Sequence, residues 1–137
     1  MKFLDFIIAE DIRFETGNKF SVMGIYNEEI TLNLPDDTQW PVPFRFGVYI
    51  RLELEDSDHI PNRFVLNVDH NNTNIATMTG NIQIKKSVRI ISLPLVLFPF
   101  PLQGYGNIRF NFEIYDKDNL LSSGIHEIEV VAHEQQN

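Results

Sequence analysis

The sequence predicts an all-β fold: a two-sheet antiparallel β-sandwich of about eight strands. Alternation of apolar and polar residues recurs along the chain, whereas helical spacing is scarce. The residues between the alternating runs are Asn, Asp, Gly and Pro, the formers of tight turns. With 137 residues and 43% apolar content, the chain can fill one core without disulfides or metal. A single domain over 1–132 is expected, with a polar tail over 133–137 that frays.

The first candidate strand lies between Phe3 and Glu15. Its apolar start resembles a signal sequence, but Asp5 interrupts the run and Glu10 and Asp11 end it before any small-residue cleavage site. After the turn ETGNK, Lys19–Ile25 and Glu29–Leu34 read as the second and third strands. Pro35, Pro41 and Pro43 then flank the only tryptophan, Trp40, in a loop expected to cross between sheets, because proline cannot donate in a central ladder. The clearest strand follows, with Phe46, Val48, Ile50, Leu52 and Leu54 on one face and Arg45, Tyr49, Arg51 and Glu53 on the other. Arg63–Val68 and Ile75–Ile84 flank the turn DHNNTN as a hairpin, and Val88–Phe98 continues the series. Asn107–Ile114 alternates without fault, Ile108, Phe110, Phe112 and Ile114 facing inward. The acidic turn DKDN leads into the last strand, Leu121–Ala132.

Composition narrows the chemistry. No cysteine is present, which excludes a disulfide framework, a thiolate zinc site and a cysteine nucleophile, and fits a cytoplasmic setting. The 11 Lys and Arg stand against 19 Asp and Glu, a net charge of -8, which repels phosphate backbones and anionic lipid. Neither nucleic acid nor membrane is therefore an expected partner, and no segment has the roughly 18 unbroken apolar residues of a spanning helix.

Motifs for catalysis fail one by one. Ser122 and Ser123 precede Gly124 without a G-x-S-x-G elbow, and no phosphate-binding glycine loop occurs. The four histidines, His59, His70, His126 and His133, show no metal spacing, and His126 is in phase with Ile128 and Val130 as a core-edge residue. DKDNLLSSGIHE begins like a calcium loop, but Leu120 and Leu121 stand where an oxygen ligand and a glycine are needed. Calcium would instead require convergence of loop tips: Asp56 and Asp58, beside Glu55, with Asp116 and Asp118 from another turn. No cofactor is expected, and the chain reads as a non-enzyme.

One stretch stands apart: FPFPLQGYGNIRFNF, from Phe98 to Phe112. Its prolines predict an end to the preceding strand at Phe98, with Phe98 and Phe100 covering the end of the core. Leu102 and Tyr105 then become candidates for contact with a partner, as do Trp40 and Tyr49 elsewhere.

Two segments also resemble an uncharacterised family of small bacterial and phage proteins. One is AEDIRFETGNKFSVMGIYNEEI, where Glu10, Asp11, Gly17, Lys19, Gly24 and Tyr26 fall on the family's pattern; the other is the proline-aromatic corner running into the DKDN turn. The resemblance implies an immunoglobulin-like or C2-like sandwich and lends no catalytic residues. Gly17 would supply a left-handed turn, Gly24 a bulge or close packing point, and Lys19 would stay outside.

The expected function is thus protein binding or self-association by an accessory protein, phage or prophage in origin. Two alternatives are a calcium-dependent C2-like module and an acidic inhibitor that mimics nucleic-acid charge. The latter needs Glu53, Asp69, Glu113, Glu127 and Glu129 on adjoining strands, where Arg45, Arg51 and Arg109 would interrupt them.

Overall fold

A computed structural model describes residues 1–55, 59–85 and 87–133. Among them the chain forms nine strands: β1 (Lys2–Glu15), β2 (Lys19–Tyr26), β3 (Glu29–Leu32), β4 (Val42–Glu53), β5 (Arg63–His70), β6 (Thr73–Asn81), β7 (Ile90–Leu102), β8 (Gly106–Asp116) and β9 (Asn119–Ala132). They build a four-stranded sheet in the order β2-β1-β4-β7 and a five-stranded sheet in the order β3-β9-β8-β5-β6. The Trp40 loop carries the chain from one sheet to the other, as its prolines predicted.

The sheets close on each other through their alternating apolar faces. Phe46, Val48, Ile50 and Leu52 of β4 meet Leu66, Val68, Ile108, Phe110, Phe112 and Ile114 of β5 and β8, all wholly buried. Phe46 packs edge-on against Phe110 across the sheets, and Phe3 and Phe6 meet Phe112 in the same way. His126 lies between the layers, half-buried, its Nδ1 2.9 Å from the Phe6 carbonyl oxygen. There β1 has β4 on one side only, because pairing with β2 begins at Ile8. The imidazole thus serves an edge carbonyl that no strand reaches.

Turn chemistry behaves as the residue types require. Asn71 and Asn72 both take left-handed conformations in the two-residue β5–β6 turn, whereas between β8 and β9 the left-handed residue is Lys117 and not one of its Asp neighbours. Gly17 and Gly24 have φ of 83° and 66°; a Cβ on Gly24 would lie 2.7 Å from the Glu10 side chain. Gly24 therefore answers both a backbone and a packing requirement.

The two-sheet sandwich is as expected, antiparallel except for the short strand β3, which pairs parallel to β9. Two expectations need correction. The Phe98 strand does not stop at its prolines, because β7 runs on through Pro99 and Pro101 to Leu102. Finally, Phe98 does not cover the core. Between Leu97, opposite Phe46, and Phe100, opposite Phe44, β7 holds one residue more than β4, which is a bulge. Phe98, next to inward Leu97, is outward and 62% exposed, while the inward positions shift from Ile91, Leu95 and Leu97 to Phe100 and Leu102, so that Phe100 is only 2% exposed. The same shift keeps Pro94, Pro99 and Pro101 in the outward phase. β7 is an edge strand, so their missing donors all fall on the side without a partner.

Candidate functional site

The prolines and aromatics singled out in the sequence converge at one end of the sandwich. Pro43 of β4 lies opposite Pro101 of β7, one step from the Val42–Leu102 pair. Pro41, Pro43, Pro99 and Pro101 line a shallow depression of about 350 Å³ on the outer side. The Trp40–Pro41 and Phe98–Pro99 peptide bonds are both cis. Beside this floor stands Phe98, with the Arg45 guanidinium 5.5 Å from its ring centroid, a cation–π arrangement. Arg45 is held in turn by Asp11, Nε to Oδ1 at 3.0 Å.

Trp40 and Tyr105 meet at the same end. Their rings pack edge-on with centroids 5.3 Å apart; Trp40 is half-buried and Tyr105 is 41% exposed. The loop that carries Tyr105 is fixed from beneath. The Tyr105 carbonyl accepts from His70 Nε2 at 3.1 Å and from Asn71 Nδ2 at 3.3 Å, while Asn71 Oδ1 accepts the Asn107 amide. His70, 4% exposed, must hold its proton on Nε2 to make that bond, and its buried Nδ1 finds no partner among the described residues. Sequence reasoning left His70 unassigned; its inward phase with Leu66 and Val68 was the available signal.

Two of the four proposed contact residues take other roles. Leu102 is fully buried, because the β7 bulge turns it inward with Phe100. Tyr49 lies on the outer face of β4, but Phe20 covers it at a centroid distance of 6.1 Å and its hydroxyl bonds Ser92 Oγ at 3.4 Å. The tip of the β1–β2 hairpin supplies that cover. Beyond Ala9, β1 leaves β4 and lays Ile12 over Gly47, where a Cβ would come within 2.9 Å of Ile12 Cγ1.

Asp11 anchors this folded-back hairpin. Partial burial pushes its carboxyl up, but the Arg45 hydrogen bond, the Ile12 amide and the charges of Arg45 and Arg13 outweigh it and hold the pKa below the ordinary value. Tyr26 lines an open groove together with Glu10, Asp11 and Arg45, its phenol pushed up to about 12 by burial and by the Glu10 charge.

The acidic candidates lie elsewhere. Asp116 pairs with His59, Oδ2 to Nδ1 at 3.6 Å, and Asn62 Oδ1 accepts the Lys117 amide, so the 59–62 segment meets the β8–β9 turn. Asp118 is exposed on that turn, whereas Asp56 and Asp58 lie outside the described residues. Among the described residues no three His, Cys, Asp or Glu side chains form a group able to hold a metal. The five carboxylates proposed to mimic nucleic acid do not share a face. Glu53 belongs to the four-stranded sheet and the others to the five-stranded one, where Arg109 pairs Glu127 at 2.8 Å. Among the described residues no helix is long and apolar enough to cross a membrane. Compared with protein-family models and with curated proteins, the sequence matches none.

Proposed function

We propose that this chain is a non-enzymatic binding module, cytoplasmic in setting, that docks a partner protein on the proline-aromatic end of the sandwich. The observation that carries the reading is the outward Phe98, beside four prolines and within one end that also presents Trp40 and Tyr105. Apolar side chains of this size, held rigidly and left in water, are the usual anchors of protein interfaces, and prolines lose little entropy when covered.

Strand order supports an immunoglobulin-like form of the sandwich over a C2-like one. With β1, β4 and β7 taken as strands A, B and E, and β5, β6, β8 and β9 as C, C′, F and G, each falls in the sheet that form requires. Such a scaffold hosts many functions, so the binding assignment rests on the patch and not on the fold.

Capture from a native lysate with the wild-type chain, a Phe98→Ala/Tyr105→Ala variant and a Leu120→Ala control tests it. Leu120 is equally exposed, at the β8–β9 turn. A partner retained by the wild type and the control but lost by the double variant is expected. Equal retention by all three would refute the assignment.

A further inference from the structure

We propose that β6 pairs with β6 of a second copy, joining the two five-stranded sheets into one continuous sheet about a two-fold axis. Among the described residues the two sheets have four edges, β2, β7, β3 and β6. An uncovered edge strand offers unpaired backbone donors and acceptors to any other strand, and proteins block such edges with prolines, charges, breaks or short length. Three edges here carry such a device. Outward prolines 94, 99 and 101 occupy β7, β3 has four residues and opens on Glu29, and β2 opens on Lys19 and is broken by left-handed Gly24.

β6 lacks them over most of its length. From Asn71 through Ile84 no residue is charged and none is proline, although 22% of the chain is charged. The bulge in β6, at Ile75, lies near its start and leaves Ala76 to Asn81 in regular register with β5. An uncharged edge of this kind is a pairing site unless something covers it.

Charge selects a second copy as the occupant. Across a two-fold axis each group meets itself or a near neighbour, so any charge on the strand faces a like charge. A chain of net charge -8 can approach itself only along a neutral strand, and β6 is neutral throughout. Its outward side chains, Thr77, Thr79 and Asn81, are each both donors and acceptors, so they satisfy identical partners. The faces fix the register as well. Ala76, Met78 and Gly80 lie in the inward phase and Thr77 and Thr79 in the outward one, so the joined sheet must pair odd positions with odd. Centring the axis on Thr79 meets this rule, placing Thr79 opposite itself and Thr77 opposite Asn81.

Sedimentation of the purified chain over a concentration series tests the proposal. The wild type is expected to dimerise. Thr79→Lys and Thr79→Glu, both at an exposed position, should each raise the dissociation constant roughly tenfold by like-charge opposition while leaving the Tm of the dilute, monomeric chain unchanged. A one-to-one mixture of the two variants should recover the dimer, because the mixed pair sets Lys against Glu. A Thr77→Lys/Asn81→Lys variant, which sets Lys against Lys on both sides of the axis, provides a second test with the same expected loss. A wild type that is monomeric at every concentration overturns the proposal, as does a dimer indifferent to these charges or not recovered in the mixture. The proline-aromatic patch is untouched by these variants, so the outcome is independent of the partner-binding assignment.

Discussion

Phe98 and Phe100, two residues apart on one strand, should respond very differently to truncation. Phe100 is buried and packs edge-on against Phe46, with ring centroids 5.2 Å apart. A buried phenylalanine removes on the order of 150 Å² or more of apolar surface from water. At about 25 cal/mol/Å² that corresponds to roughly 4 kcal/mol, in line with the ~3–5 kcal/mol found for such truncations. Phe98 has little more than a third of its surface covered and leaves no enclosed cavity. Its truncation should cost about 1 kcal/mol, including the exposed contact with Arg45. For 137 residues, an unfolding entropy of about 2.1 cal/mol/K per residue converts 4 kcal/mol to a Tm loss of roughly 14 °C for Phe100→Ala, against about 3 °C for Phe98→Ala. Urea denaturation with unchanged m-values would supply both free energies. Equal losses, or a larger loss at Phe98, would refute the bulge and the change of phase that it imposes.

Gly47→Val should destabilise by about 2–3 kcal/mol, because a Cβ there approaches Ile12 Cγ1 at 2.9 Å and the Asp11 backbone carbon at 3.1 Å; thermal melting checks this. Asp11, whose pKa is lowered, contributes stability that is present above its unfolded-state pKa and lost as pH falls through the lower folded value. Asp11→Asn should therefore show its largest deficit at neutral pH and converge with the wild type in acid, as read by urea titrations from neutral pH downward. Tyr26, raised to about 12, acts in the opposite sense: its contribution is complete below the ordinary tyrosine value near 10 and disappears as pH rises towards 12. Ultraviolet titration should show late phenolate formation at Tyr26 and at Tyr115, whose hydroxyl hydrogen-bonds Glu113, and Tyr26→Phe should remove the Tyr26 step.

Much of the fold was legible because strand periodicity is a local property. Alternation in Phe46–Leu54 and Ile108–Ile114 marked which side of each strand would be dry, and these residues are the centre of the core. The Asn71–Asn72 turn was equally local, being set by residue types that accept left-handed geometry, and the DKDN turn was legible by its place between two alternating runs. The candidate site was half legible. Trp40, Tyr105 and the prolines stood out by type, but their meeting joins segments more than sixty residues apart, which no local pattern records.

By itself, then, the sequence determined an all-β sandwich, most of its core, its hairpin turns and the scarcity of catalytic motifs, because each depends on residues near one another in the chain. Tertiary structure alone decided which strands were edges, and edge position is what lets β7 run through its prolines and places β6 at an open margin. It also decided the fate of individual aromatics. One extra residue opposite β4 turned Phe100 and Leu102 into core while Phe98 kept its outward phase, and a folded-back hairpin covered Tyr49. The physical reason is that side-chain phase along a strand is periodic only until the partner strand forces a bulge, and a partner strand is chosen by the whole fold.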